Sequence, residues 1–370
     1  MKVLYDHQAF LQRYGGVPKC FVEILKCIPK EYYNIAVLFS DNQSLKESEI
    51  IPVRHLFYGY GFRGKYRLYS SIGKLFSIKN ICDGKYDIYH PTLYDVYGLK
   101  YLPKNKKMVV TIHDINYTII PEFYKNEKSN PYLYQKEMAM KADLIIAISE
   151  NTKKDILAQW NIPENKVTTI YHGISDKLKN LQENRVYDRK YILYVGYRNA
   201  YKNFKNCLLA YSNIAFKFPD VDLICTGSDF NEIERNMIKR IGLQSRITVI
   251  RATESEMARL YRDAEFFVYP SFYEGFGMPI LEAWRYHCPV ALSKASCFPE
   301  IAQDAGAYFN PYDVNSMSSV FISLLSDLKY RNKLKEKGDK DNKNTIKIVD
   351  LFSKTGTPLK SPLYSPLYKT

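Results

Sequence analysis

Ser271-Phe-Tyr-Glu-Gly-Phe-Gly-Met-Pro-Ile-Leu-Glu-Ala283 places two carboxylates, Glu274 and Glu282, on either side of a Gly-Phe-Gly turn. Immediately upstream, Glu265-Phe-Phe-Val-Tyr-Pro270 is a short apolar run with the pattern of a buried strand. Downstream, Pro279 suits the first helical position, where its missing N–H has no intrahelical acceptor and its φ is already set. The segment therefore predicts strand, glycine turn, helix. Gly275 and Gly277 permit strained backbone and close approach of a ligand, and the helix start is an anion site in waiting. Glu282 falls about one turn into that helix, and helical side chains lean back toward the N-terminus. Both acids are thus placed to flank one phosphorylated ligand.

A length of 370 residues favours two domains, each able to bury its own core. With 46% hydrophobic and 25% charged residues the composition is that of a soluble globular protein. No apolar run reaches the roughly 18–20 residues that span a bilayer. Met1-Lys-Val-Leu-Tyr-Asp6 has no signal-peptide character. Seven cysteines, odd in number and without a Cys-x-x-Cys pair, argue against a disulfide framework or zinc site and for a reducing cytoplasm.

The formal charge of +14 and the 33 tyrosines are compatible with nucleic acid, an anionic membrane face or a phosphorylated substrate as partner. Their densest mixture is Tyr58-Gly-Tyr-Gly-Phe-Arg-Gly-Lys-Tyr-Arg-Leu-Tyr69, followed by Ile72, Lys74, Leu75, Phe76 and Lys79. Basic residues beside aromatics suit a lipid headgroup interface, against the plainer alternative of a solvated loop and helix. No nucleic-acid motif accompanies the charge, so no nucleic-acid partner is expected.

Along the chain, strands alternate with helices twice. Strands are expected at residues 2–6, 32–39, 86–90, 108–112, 143–148 and 167–171, with Ser149 capping a helix. A charged stretch near Ser175 to Lys190 reads as a linker. The second alternation has strands at 191–195, 221–226, 247–250 and 265–270, and ends with a helix from about Val314 to Lys337. The pattern predicts two doubly wound parallel-sheet domains, 1–180 and 186–338, followed by an irregular tail at 339–370 that closes on a Ser-Pro-Leu-Tyr tandem. Tandem domains of this kind normally bind ligand at the carboxyl ends of their strands, in a cleft.

Several strand ends carry polar groups. Val195-Gly-Tyr-Arg-Asn-Ala-Tyr-Lys-Asn203 brings Arg198 and Lys202 to the same sheet edge as the glycine turn, where cations would neutralise a diphosphate leaving group. Gly15-Gly16 precedes a helix, His90 ends one strand, and Thr111-Ile-His113-Asp114 ends another. A histidine is more often a satisfied structural residue, although two at strand ends of one sheet raise the functional odds. Paired acids also invite a glycosidase, but Glu282 inside an anion-binding helix is better placed to accept from a ribose diol. From residues alone the chain is a two-domain nucleotide or phosphate binder.

Taken together these segments resemble the retaining glycosyltransferases of family 4, over roughly residues 1–338. The most specific element is Glu-x7-Glu from Glu274 to Glu282. It is supported by Tyr-Gly-Gly near the start, Thr-Ile-His-Asp, Ile-Ser-Glu-Asn-Thr-Lys-Lys-Asp, Val-Gly-Tyr-Arg…Tyr-Lys-Asn and Phe298-Pro-Glu300. The resemblance implies the GT-B fold, two Rossmann-like domains facing across a cleft, the first on the acceptor side and the second binding the nucleotide sugar. It gives Arg198 and Lys202 to the donor diphosphate, Glu274 to donor-sugar hydroxyls near the reacting centre, and Glu282 to the ribose. Amides around Phe276, Gly277 and Met278 would touch sugar and phosphate, His113 would lie beside the donor sugar, and Gly15-Gly16 would close the cleft.

The implied activity is metal-independent, retaining transfer of a hexose, with mannose expected, in surface polysaccharide synthesis. The donor is a GDP- or UDP-linked sugar and the acceptor a glycan or lipid-linked glycan. The expected place is the cytoplasm, peripheral at the inner face of the membrane. A sugar-nucleotide epimerase and a non-catalytic scaffold of the same fold are the alternatives. Two positions depart from the family: Leu351-Phe-Ser-Lys-Thr355 replaces a Phe-Ser-Trp-Glu-like segment before the usual returning helix, and Ser296-Cys297 precedes Phe298-Pro-Glu.

Overall fold

The computed structural model describes residues 1–48, 50, 61–125, 132–173, 184–198 and 200–354, the stretch 342–354 by its backbone alone. The chain forms two units, Met1–Ser175 with Lys347–Thr370, and Asp176–Ile346. The division falls at the start of the charged stretch expected as a linker, most of which lies outside the described residues.

The first unit holds β1 (Val3–Tyr5), β2 (Tyr33–Ile35), β3 (Ile88–His90), β4 (Lys107–Ile112), β5 (Leu144–Ala147) and β6 (Val167–Thr169). They form one sheet in the order β2-β1-β3-β4-β5-β6, with every pair parallel. The second unit holds β7 (Lys190–Tyr194), β8 (Val221–Thr226), β9 (Ile247–Ile250), β10 (Phe266–Tyr269), β11 (Val290–Ser293) and β12 (Gly306–Phe309). Its order is β12-β11-β10-β7-β8-β9, again all parallel. Sheets covered by helices on both faces need strands that are apolar throughout, and Leu144–Ala147 and Phe266–Tyr269 are buried along their whole length.

In each unit the first strand lies inside the sheet, and the chain winds to one side of it before crossing to the other. In the second unit this switch falls between β7 and β10, in register as Phe266 opposite Ile192, Phe267 opposite Leu193 and Val268 opposite Tyr194. The crevice at a switch point lies outside the carboxyl ends of the strands, because the loops leave there in opposite directions. In the first unit the switch falls between β1 and β3.

Three differences from the sequence expectations have local causes. β11 and β12 escape notice because Val-Ala-Leu-Ser and Gly-Ala-Tyr-Phe are short and show no alternation. The single helix expected at 314–337 is two, Val314–Ser326 and Leu328–Lys354; Asp327 breaks the first and accepts from the Tyr330 amide at 2.9 Å to start the second. The tail from 339 is not irregular in its described part, since that second helix runs to Lys354. No glycine or proline occurs from Asp339 to Thr355, and each Asp or Asn in the run costs a helix only ~0.7 kcal/mol. Inside this helix Gly338 lies against the Trp284 indole, where an added Cβ would approach Cδ1 to 2.3 Å. The Ser-Pro-Leu-Tyr tandem lies outside the described residues.

Candidate functional site

At the switch point of the second unit, the loop leaving β7 carries Lys202 and the loop leaving β10 carries Glu274. Their side chains meet, with Lys202 Nζ 2.5 Å from Glu274 Oε1. Both are largely sheltered, at 17% and 12% exposure, so the attraction is screened less than at an open surface. Asn203 holds the arrangement from below. It adopts φ +57 ahead of the helix Phe204–Ala215 and its Nδ2 donates to the carbonyls of Pro270 (3.0 Å) and Pro311 (2.8 Å). The Phe272 amide donates to the Tyr201 carbonyl at 2.9 Å, stitching the two loops together. The Lys202 ammonium also lies 5.0 Å from the centre of the Tyr201 ring and 5.6 Å from that of Tyr269. Burial, reinforced by the Glu274 carboxylate bonded to it, pushes the Tyr269 hydroxyl well above the usual phenol range.

Four residues beyond Glu274, the helix Met278–Arg285 begins from Gly277 in the left-handed region, at φ +94, with Pro279 in its first turn. No side chain caps it. Pro279 has no N–H and the Ile280 amide donates to the Gly277 carbonyl at 2.9 Å, so what this end offers an anion is the Met278 amide and the positive end of the helix dipole. Gly277 is required twice over: a side chain is strained at this φ, and a Cβ would meet Ile280 Cδ1 at 3.0 Å and Phe298 Cε1 at 3.1 Å. Phe276 is buried and Met278 half-buried. Glu282 is turned toward the neighbouring helix Glu254–Asp263, where the Tyr261 hydroxyl donates to it at 3.4 Å.

Arg198 and Lys202 do not stand as a facing cation pair. Arg198 turns toward β8, donating from Nε to Glu234 (3.0 Å) and from Nη2 to the Ser228 and Asp229 carbonyls. Its guanidinium lies 4.9 Å from the centre of the Phe230 ring. Glu234 in turn closes a capping box with Asn231 at the start of the helix Glu232–Arg240. One nitrogen, Nη1, is buried without a hydrogen-bond partner among the described residues. Sequence reasoning missed Glu234, for which the Asn-x-x-Glu box was the available signal. It noted Ser296 only as a departure from the family, although this residue stands at φ +46 and accepts from the Glu274 amide at 3.1 Å.

The remaining expected residues lie in the first unit. Gly15 precedes and Gly16 begins the helix Gly16–Cys27, and a Cβ on Gly16 would meet nothing within 4 Å. His113 follows β4 and is buried; its amide donates to the Tyr94 hydroxyl at 3.2 Å. Its imidazole packs against Phe21 edge-on and stacks on His172, 5.6 Å between centroids. Burial, then the neighbouring His172 and His90, hold His113 well below the ordinary histidine value, so the ring is neutral. His90 ends β3, bonds Thr111 Oγ1 at 2.9 Å, and is lowered to about 3 by burial, as a structural histidine would be. The β1–β3 switch point is filled by protein. There the fully buried Asp6 carboxylate accepts from the Thr92 amide (2.9 Å) and hydroxyl (2.7 Å), Gln8 Nε2 (2.6 Å), and the Tyr89 and Tyr97 hydroxyls (both 2.9 Å).

Comparison with known proteins matches residues 14–178 to the family described as Glycosyltransferase Family 4 and residues 176–341 to Glycosyl transferases group 1. O-antigen chain mannosyltransferase B of Escherichia coli is 29% identical over 250 residues, covering 62% of this chain and 65% of that protein. O-antigen chain mannosyltransferase RfbU of Salmonella typhimurium is 25% identical over 226 residues, covering 60% of this chain and 62% of its own. These matches span just under two thirds of the length of the curated relatives. Among solved structures, Anabaena Alr3699/HepE in complex with UDP and glucose superposes with a TM-score of 0.75 at 17% identity, covering 100% of both chains. Sucrose-phosphate synthase from Thermosynechococcus elongatus gives 0.74 at 17% identity, covering 100% of this chain and 99% of its own. At that identity the likeness concerns the fold, which is the GT-B class expected from the sequence.

Proposed function

The chain belongs to the family 4 (group 1) glycosyltransferases, and from that premise we propose that it is a retaining hexosyltransferase acting in surface polysaccharide synthesis. The observation that carries the reading is the Lys202–Glu274 pair at the β7–β10 switch point, beside the uncapped start of the helix Met278–Arg285. A nucleotide diphosphate sugar offers an anion to the helix start and to Lys202, and hydroxyls to Glu274. In the reaction the bond from the anomeric carbon to the diphosphate oxygen breaks. The bond to the acceptor oxygen forms on the same face, and the leaving diphosphate takes the acceptor proton. Lys202 and Arg198 stabilise the charge that develops on the diphosphate, a role that needs no metal ion. Glu282 receives the ribose, and His113 and the Gly15-Gly16 loop keep the roles that the family resemblance gives them.

A mannose donor is supported by the names of the curated relatives, which are O-antigen mannosyltransferases. The base, guanine or uracil, is decided by the same experiment as the reaction. The protein is incubated with GDP-mannose, UDP-glucose and related donors, with binding and nucleotide release followed. GDP-mannose turnover is expected, abolished by Glu274→Ala and by Lys202→Ala. Absence of binding to every donor by the folded protein would refute the reading in favour of a scaffold.

Peripheral attachment to an anionic membrane is part of the same proposal. Among the described residues no helix is long and apolar enough to cross a membrane. The helix Lys65–Cys82 instead exposes Tyr66 and Leu75, at 65% and 69%, among the exposed Arg63, Arg67 and Lys79. Lys65 belongs elsewhere, paired with Asp41 at 2.5 Å. Tyr58 to Tyr60 of the expected patch lie outside the described residues. Co-sedimentation with anionic vesicles is expected to fall when Arg63 and Arg67 are neutralised, and unchanged sedimentation would remove membrane attachment from the proposal.

A further inference from the structure

His172 lies beyond β6, outside every motif picked out from the sequence, yet among the described residues its ring stacks directly on that of His113. Their planes are 24° from parallel with centroids 5.6 Å apart. Phe21 meets the same imidazole at 6.0 Å and 74°, so His113 is held by one flat face and one edge. Its Nε2 is buried and has no hydrogen-bond partner among the described residues. What orients this ring is therefore packing. His172 is itself fixed, because Cys20 Sγ lies 3.1 Å from its Nδ1. Cys20 and Phe21 sit on one turn of the helix Gly16–Cys27, the helix that begins at the Gly15-Gly16 loop.

We infer that His172 is a positioning residue for His113, clamped by the Cys20 thiol and pressing the His113 ring against Phe21 so that its Nε2 keeps one direction. The inference rests on the proposed function for what His113 faces, a donor sugar. The chemistry of the clamp follows from the groups present. Burial pushes the Cys20 thiol up to about 12, so it remains a thiol and shares one proton with Nδ1. Burial also keeps the His172 imidazole neutral, at about 4. A second neutral ring can stack on His113, whereas a charged one would repel any proton His113 shares with a ligand. An unanchored His113 would sample other rotamers, and misplacement by about 1 Å at a reacting centre can cost on the order of 100-fold in rate.

The test compares wild type with His172→Ala, His172→Phe and Cys20→Ala in the full chain, by two independent readouts. The first needs no substrate: imidazole ¹H–¹⁵N spectra, assignable because the chain has six histidines. Wild type should show His113 as one neutral tautomer, unchanged between about pH 5.5 and 8, as a strongly lowered value requires. In His172→Ala the His113 signals should broaden or titrate in that range, and His172→Phe, which keeps a ring, should restore them. The second readout is nucleotide release from GDP-mannose and UDP-glucose. His172→Ala should lower kcat by about 10- to 100-fold with little change in KM, and His172→Phe should recover most of it. If His172→Ala fails to fold, Cys20→Ala, which removes only the clamp, should broaden the His113 signals. His113 signals superimposable on wild type in the folded variants would overturn the inference. A wild type that releases no nucleotide sinks the proposed function instead, while the spectra still decide the positioning.

Discussion

Replacing Gly277 by alanine should damage fold and site together, and the size of the effect can be worked from its surroundings. At φ +94 a side chain costs about 1–2 kcal/mol relative to glycine. The added Cβ meets Ile280 Cδ1 at 3.0 Å and Phe298 Cε1 at 3.1 Å, and forcing a methyl into a packed position adds about 1–3 kcal/mol. Lower entropy of the unfolded alanine chain returns about 0.4–1 kcal/mol. The net loss centres on about 2–3 kcal/mol, or a fall of roughly 4–12 °C in the melting of a unit this size. Gly16→Ala is the control. Nothing lies within 4 Å of its Cβ and it begins a helix, so it should be neutral or stabilise by up to ~1 kcal/mol. Calorimetry of both variants, with nucleotide titration beside it, reads the two effects. Nucleotide affinity should fall with Gly277→Ala, because the Met278 amide at the start of the helix Met278–Arg285 turns when Gly277 does. A Gly277→Ala protein that melts with wild type would refute the steric reasoning.

The Lys202–Glu274 pair should show coupling of about 1–3 kcal/mol in a cycle of Lys202→Met, Glu274→Gln and the double variant, because each single change leaves a sheltered charge alone; additive melting shifts would contradict it. Gly338→Ala should destabilise even though alanine favours helices by ~1 kcal/mol, since its Cβ would lie 2.3 Å from Trp284 Cδ1; a rise in Tm would show that the indole moves aside. Acid should weaken the fold through its buried histidines. His90 at about 3 and His172 at about 4 lie below the ordinary 6.5, so the unfolded chain takes up protons first. Their contribution is complete above pH ~6.5 and declines as pH falls toward those values, by at most ~1.4 kcal/mol per unit for each. His90→Gln, which keeps a polar partner for Thr111, should flatten this acid limb in urea melts taken across the range; an unchanged limb would assign it to other groups.

Most of the strands were legible because a strand in a covered parallel sheet is a local apolar run, as at Phe266–Tyr269 and Leu144–Ala147. The helix N-caps Ser149 and Asn231 follow from local side-chain chemistry in the same way, although Asn231 was overlooked. β11 and β12 were not legible, since four small or mixed residues carry no period. The site divides along the same line. Glu274, Gly277 and Glu282 stand out because their spacing is written in one segment. His172 does not, because its meaning lies in a contact with His113, 59 positions away in the chain.

The sequence by itself determined the kinds of element, the double α/β alternation, and the residue types that a phosphorylated ligand needs at strand ends. Tertiary structure decided their partners. Lys202 takes Glu274 across 72 residues because β7 and β10 are neighbours at a switch point, and strand order is a property of the whole sheet. Arg198 takes Glu234 because the loop after β7 also borders β8, on the other side. A sequence pattern reports which face of an element is apolar, but a charge chooses its partner by distance and shelter, and both are set only once the sheets have formed.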